Sequence, residues 1–224
     1  MTPRRVAVSF AVARLMTTAM IDPEMARKIV TALGDSITAG SPGWDPDPAV
    51  RSGIDAPSPE SSWEHWAALA RPDIELRNCG VYSERTDEIA RRLDACAAGA
   101  DVLVVQGGIN DVAQGRAVEA AAADLRAMVR RGLELGLRVL LCDVLPWNAG
   151  YPRFDRAVLA LNALVAAVAD EEGVVLVPFH DTLEDPARPG RMRDDWVADS
   201  DHPSVAGYRR LAEVAVVPAL DRLG

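Results

Sequence analysis

Three histidines, His65, His180 and His202, are the only imidazoles in a chain of 224 residues. A serine hydroxyl becomes a useful nucleophile only when a base takes its proton, so the pairing of serines with these three rings bounds the chemistry. Ser36 stands in Gly34-Asp35-Ser36, where the apolar run Ile29-Val30-Thr31-Ala32-Leu33 stops abruptly. A buried strand that ends on a small hydroxyl is either making a tight turn or presenting that hydroxyl. His65 sits beside Trp66 in a helical stretch, His180 follows Phe179 at a strand end, and His202 lies in Asp199-Ser200-Asp201-His202-Pro203. Asp199 precedes His202 by about one helical turn. Its carboxylate can reach the Nδ1–H of that imidazole, fix the tautomer and stabilise the cation that forms. Pro203 suits the first turn of a final helix, and a capped helix with a surface histidine accounts for the same spacing.

Acyl transfer also needs donors aimed at a developing oxyanion. Gly107-Gly108-Ile109-Asn110-Asp111 follows an apolar run, and Asn110 offers an uncharged amide donor. A turn asparagine is the plain alternative. Asp35 and Asp111 flank these positions and invite a metal reading. No cluster with ligand spacing supports one, so both are expected to brace loops, and neither a metal nor a cofactor is expected. The chain has no G-x-S-x-G elbow and no Gly-rich phosphate loop.

These side chains need a scaffold. Short β-branched runs at 28–33, 74–79, 101–106, 137–144 and 174–178 alternate with helical patterns at 62–71, 86–98, 116–135 and 154–172, and a last helix follows Pro203 to about 215 or beyond. Nearly continuous apolar strands indicate a parallel sheet covered on both faces. The stretch 116–135 puts Val118, Ala122, Leu125 and Val129 on one stripe before Gly136 stops it; in 86–98, Ile89 and Leu93 face inward. The expected fold is a doubly wound α/β/α sandwich on a five-stranded parallel sheet. Ligands of such sheets bind beyond the carboxyl ends of the strands, and the reactive side chains fall in those loops.

Length and 49% hydrophobic composition suit one domain with a full core, expected over 26–224. A net charge of −9 argues against nucleic acid as a partner. No apolar run reaches the roughly 18 residues of a membrane span. Cys79, Cys96 and Cys142 are sparse and unpaired in sequence, as in reduced cytosolic enzymes; Cys79 and Cys142 read as small core side chains. Residues 1–25 are expected to form a loosely ordered extension. Arg4, Arg5 and Val6 to Ala13 loosely imitate a signal peptide, but Arg14 follows at once, and a cytoplasmic location is the expectation. Nothing in the sequence bears on the oligomeric state.

GDSIT around Ser36, N-C-G-x-x-S at 78–83, GGIND at 107–111 and D-x-x-H-P at 199–203 together resemble the four blocks of the GDSL/SGNH hydrolase family, over about 28–216. The resemblance implies a flavodoxin-like α/β/α fold and serine esterase or lipase chemistry through an acyl-enzyme. Matched block by block, Ser36 is the nucleophile, His202 the general base and Asp199 its orienter. The backbone N–H of Ser36, a backbone N–H from the second block and the Asn110 side chain form the oxyanion hole. The family's second block usually ends in glycine, whose N–H is the donor; here Ser83 occupies that place. Any residue but proline keeps the N–H, while a Cβ restricts the turn.

Trp44, Tyr82, Trp147 and Trp196 lie in loops after strands and are candidates to line a pocket for a small-molecule ester; packing of long loops is the alternative. The five-proline loop 41–61 either shapes that pocket or is a surface excursion. Small acyl esters, sugar acetates, lysophospholipids and thioesters all remain open. So do an acyltransferase on the same triad and a non-catalytic binding protein on the same fold.

Overall fold

The chain is described by a computed structural model over residues 27–223; the expected extension at 1–25 lies outside the described residues. Five strands, β1 (Lys28–Gly34), β2 (Ile74–Gly80), β3 (Val102–Val105), β4 (Arg138–Cys142) and β5 (Val175–Val177), form one sheet in the order β2-β1-β3-β4-β5. Every pairing in it is parallel. This is the expected α/β sandwich. The direction of winding reverses between β1 and β3, which opens a crevice at their carboxyl ends.

Side-chain alternation along the strands splits the core into two layers. Val30 and Ala32 of β1, Val102 and Val104 of β3, and Leu140 and Cys142 of β4 face the helix Trp63–Ala70 and the C-terminal helices. Leu33, Leu103, Val105, Val139 and Leu141 face the other way, onto the long helices Val118–Glu134 and Asp155–Glu172. Period-2 alternation with apolar residues at both phases is what a sheet buried on both sides requires. The predicted stripe of the first long helix holds at Ala122, Leu125 and Val129, while Val118, at its start, is only half-buried.

Several boundaries differ from expectation. The stretch 86–98 is two short helices, Thr86–Ala90 and Leu93–Ala97, although Ile89 and Leu93 do face inward. The break frees Arg92 to turn back toward the sheet. The segment after β5 is not all loop. It holds the helix Phe179–Leu183 and a small antiparallel hairpin of β6 (Glu184–Asp185) and β7 (Arg188–Met192). The final helix is capped by Ser204, whose hydroxyl accepts from Gly207 N–H at 3.2 Å, and it starts at Val205. Pro203 therefore precedes the cap and sits in a bridge to Val197, which leaves His202 in a loop. That helix continues past 215 through a π-helical stretch, Leu211–Val216, to Asp221. Pro218, which has no N–H to give, lies just beyond the stretch. Among the described residues no helix is long and apolar enough to cross a membrane.

Candidate active site

The end of β1 builds the site. Asp35 caps the four-residue helix Ser36–Ala39: its Oδ1 accepts from Ile37 N–H at 2.9 Å. Gly40 closes the turn at φ +101°, returning its N–H to the Ser36 carbonyl at 3.0 Å. Ser36 is thereby fixed at the first helical position, buried but for one face. β2 is stitched to this turn. Asn78 donates from Nδ2 to the Thr38 carbonyl at 2.6 Å and accepts from Gly80 N–H at 2.9 Å. A Cβ on Gly80 would lie 2.1 Å from Ala39 N, so glycine is required for this close approach.

From β2 the chain turns through Val81-Tyr82-Ser83. Ser83 adopts φ +68°, the left-handed region where glycine is at ease and an L side chain is strained. After β3, Gly108 turns at φ +116° into the helix Ile109–Ala113. Asn110 Nδ2 donates one hydrogen to the Glu84 carbonyl at 2.9 Å. That bond orients the amide and leaves its second hydrogen free. Among the described residues, the backbone N–H groups of Ser36 and Ser83 have no acceptor. Ser36, Ser83 and Asn110 line one cavity of about 170 Å³, together with Ile37, Tyr82, Trp147 and His202.

His202 arrives from the loop after the hairpin. Asp199 Oδ1 accepts the backbone N–H of Asp201 at 3.0 Å and of His202 at 2.8 Å, and Ser200 takes φ +72°. This local turn, rather than a helix, brings the Asp199 carboxylate onto the ring of His202, with Nδ1 at 2.9 Å from Oδ2 and 3.1 Å from Oδ1. His202 Nε2 then lies 3.0 Å from Ser36 Oγ. Burial pushes the Asp199 carboxyl up, but hydrogen bonds from the His202 ring and from the His202 and Asp201 backbones outweigh it, and the group stays below its ordinary range. An ionised Asp199 at Nδ1 makes Nε2 the acceptor for the Ser36 hydroxyl proton. The turn is tied to the loop after β4: Trp147 Nε1 donates to Asp201 Oδ1 at 2.6 Å, and Ala149 N–H to the Ser200 carbonyl at 3.0 Å.

Asp35 and Asp111 brace. Buried Asp111 accepts from the Thr86 backbone and hydroxyl at 3.0 and 2.9 Å and from Arg116 at 2.6 Å, anchoring the Asn110 helix. Burial pushes the Asp35 carboxyl up to about 6. Among the described residues no group of three or more His, Cys, Asp or Glu is placed to hold a metal ion.

Of the four aromatic candidates, Tyr82 and Trp147 line the cavity beside Ser36, and Trp44 lines a neighbouring one. Trp196 lines neither. It packs half-buried against the core under the final helix, with the Arg193 and Arg210 guanidinium groups over its ring. His65 and His180 are remote from Ser36 in hydrogen bonding; His180 is buried, its backbone N–H given to Asp143.

Sequence reasoning missed Arg92. Its guanidinium donates to the Gly34 carbonyl at 3.0 Å, to the Cys79 carbonyl at 2.7 Å and to the Glu84 carboxylate at 2.6 Å. One side chain thus fixes the ends of β1 and β2 and the turn carrying Ser83. In sequence it reads as one more polar residue of an amphipathic helix. Cys79 and Cys96, distant in sequence, also meet here. Both thiols are half-buried, and Cys96 lies 3.9 Å from the same Arg92 nitrogen. A larger hollow, about 320 Å³, opens at the opposite edge of the sheet around Ile74 and Leu137, away from this chemistry.

A family model described as the GDSL-like lipase/acylhydrolase family matches residues 32–210. Solved structures resemble the chain along most of its length. One is a member of the lipolytic protein G-D-S-L family from Veillonella parvula DSM 2008, 20% identical, covering 83% of this chain and 94% of that one, with a TM-score of 0.66. Another is a GDSL-like lipase from Bacteroides thetaiotaomicron VPI-5482, 18% identical over 92% and 94%, TM-score 0.66. A third is the psychrotrophic esterase EstA from Pseudoalteromonas sp., in a structure inhibited by monoethylphosphonate, 19% identical over 88% and 98%, TM-score 0.65. At these identities the likeness speaks for the fold. No curated protein sequence matches the chain.

Proposed function

The chain belongs to the GDSL-like lipase/acylhydrolase family, and on that premise we propose that this hydrolase cleaves carboxylic esters through an acyl-enzyme on Ser36. The carrying observation is the unbroken chain Ser36 Oγ to His202 Nε2 at 3.0 Å and His202 Nδ1 to Asp199 Oδ2 at 2.9 Å.

In the proposed reaction Ser36 Oγ bonds to the ester carbonyl carbon while its proton passes to His202 Nε2. The carbonyl oxygen becomes an oxyanion facing the Ser36 and Ser83 N–H groups and the free hydrogen of Asn110 Nδ2. The bond to the alcohol oxygen breaks, and the imidazolium returns its proton to that oxygen. A water then repeats the sequence on the acyl-enzyme, releasing the acid and restoring Ser36. Asp199 holds the imidazole and stays ionised throughout. Ser83 does not argue for a non-catalytic binding protein, because the donor required of it is a backbone N–H and that N–H is available.

The test is turnover of p-nitrophenyl butyrate by Ser36→Ala and His202→Ala variants whose folding is checked by circular dichroism. Loss of a triad member costs several orders of magnitude in rate. A folded Ser36→Ala variant at wild-type rate, or a dead His180→Ala beside an active His202→Ala, overturns the assignment.

A further inference from the structure

A second cavity, about 250 Å³, opens beside the first and is lined by Ser41, Pro42, Trp44, Val50, Ile54 and Tyr82, with Asp45, Asp199 and His202. The two cavities have only Tyr82 and His202 in common. Tyr82 is 61% exposed, and its ring lies 6.2 Å from that of His202, tilted by 30°. The pair forms a partition with Ser36 on one side and the loop 41–61 on the other.

The proposed chemistry assigns one half of the ester to each side. The carbonyl oxygen must meet Ser36, Ser83 and Asn110, all of which line the smaller cavity, and the acyl chain is assigned to that side. The alcohol oxygen must take its proton from His202, which borders both cavities; with the oxyanion donors all in the first, the second is left for the alcohol. Each space is smaller than the roughly 300–1,000 Å³ of typical ligand pockets, which suits a small group on either side.

The lining of the second cavity selects further. Apart from Ser41 and the histidine, its lining is apolar or aromatic save for two acids, Asp45 and Asp199. Arg51 is not part of that lining, although its charge acts on Asp45. Its guanidinium lies 4.4 Å from the Trp44 ring centroid and donates to the Asp45 and Pro46 carbonyls at 2.7 and 3.2 Å, on the loop itself. The loop is a built wall. Asp47 caps its short helix Pro48–Arg51, and Ser58 N–H bonds the Gly43 carbonyl at 2.9 Å. A phosphate, sulfonate or carboxylate on the alcohol would enter an apolar space facing two carboxylates, an arrangement that rejects a wrong partner by repulsion.

Building on the ester-hydrolase reading, we infer that the substrates are short-acyl esters of uncharged, apolar alcohols, with the loop 41–61 forming the alcohol subsite and Asp45 guarding it against anionic leaving groups. Phospholipid headgroups and acyl-CoA fall outside this class.

The test compares kcat/KM for butyrate esters of methanol, 2-phenylethanol and 2-(4-sulfophenyl)ethanol. The last two leave from the same kind of oxygen and differ in a remote charge. Butyryl-CoA and 2-phenylethyl dodecanoate complete the set. The phenylethyl ester should exceed both the methyl and the sulfonated ester by about tenfold or more, the scale on which a pocket discriminates an apolar group. Butyrate should exceed dodecanoate. Asp45→Asn keeps the acceptor that Asp45 Oδ1 offers to Asp47 N–H at 2.8 Å and should raise the sulfonated ester's relative rate several-fold. Ile54→Asp should lower the phenylethyl-to-methyl ratio. Equal rates for the charged and uncharged alcohols, preference for butyryl-CoA, or preference for dodecanoate overturns this inference while the ester-hydrolase reading stands. Absence of turnover on every ester overturns that reading itself.

Discussion

Ser83 at φ +68° sets a quantitative prediction. A non-glycine residue in the left-handed region costs about 1–2 kcal/mol. Glycine removes that cost but gives back about 0.4–1 kcal/mol through the greater freedom of the unfolded chain. Ser83→Gly should therefore be neutral to stabilising, by up to about 1.5 kcal/mol. A 224-residue chain shifts its Tm by about 2–4 °C per kcal/mol, so the variant should melt between the wild-type temperature and about 6 °C above it. Ser83→Ala keeps the Cβ and should melt with the wild type. The two variants also separate backbone from side chain in catalysis. Both keep the N–H and lose the hydroxyl, so both should retain kcat within a few-fold. Loss of a true oxyanion donor costs about 10²–10³ in kcat. Ser83→Pro cannot serve here, because proline holds φ near −65° and would rebuild the turn while removing the N–H. The assays are a circular-dichroism melt and p-nitrophenyl butyrate kinetics. A folded Ser83→Ala variant slower by a hundredfold would refute the backbone-donor assignment, and Ser83→Gly melting several degrees low would refute the strain argument.

Asn110→Ala should lose about 10²–10³ in kcat with modest change in KM; an equal loss confined to KM would remove Asn110 from the transition state. Burial pushes the Asp143 carboxyl from 3.8 up to about 7, against its hydrogen bond from His180 N–H. The folded state then binds the extra proton between those values, so this group's contribution to stability falls as pH rises from about 4 to 7. Asp143→Asn should stabilise at pH 8, by at most about 4 kcal/mol, and be near neutral at pH 4, as read by denaturant melts; a pH-independent effect would contradict it. A hydrogen bond from Cys96, with Thr31 and the Arg92 and Arg77 charges assisting, outweighs burial and holds the Cys79 thiol at about 6, while burial pushes Cys142 well up. Iodoacetamide at pH 7 should alkylate Cys79 first by peptide mass mapping, and first labelling at Cys142 would oppose this.

Contacts local in sequence were readable in advance. The strand at Ile29–Leu33 announces itself by apolar continuity, and Asp199 to His202 by a spacing that one turn can close. The turn that closes it is an Asx-type loop and not the predicted helix start, because Ser204 is the better cap and Pro203 falls outside it. Ser83 was legible as a departure from the glycine pattern, and its positive φ explains why glycine is the usual residue there. Asn78 was visible only as the first residue of the second block, with no role attached to its side chain. Arg92 and Arg116 were not legible: each acts through partners 5 to 58 residues away, and any polar residue on those surfaces would carry the same local pattern. Trp196 misleads for the opposite reason: an aromatic in a long loop has the same signature whether it lines a pocket or, as here, packs beneath two arginines. Cys79 and Cys96 became neighbours only through the packing of the helix Leu93–Ala97 on the sheet at β1.

The acyl group is proposed to pass to Ser36 Oγ, and its destination is read by intact-mass and peptide mapping after brief exposure to a fluorophosphonate, with a rapid acid quench of a butyrate ester reaction in parallel. One adduct per chain is expected in each case, both on the peptide containing Ser36, and neither in Ser36→Ala. An adduct that persists in Ser36→Ala, or that maps to another residue in the wild type, would contradict it.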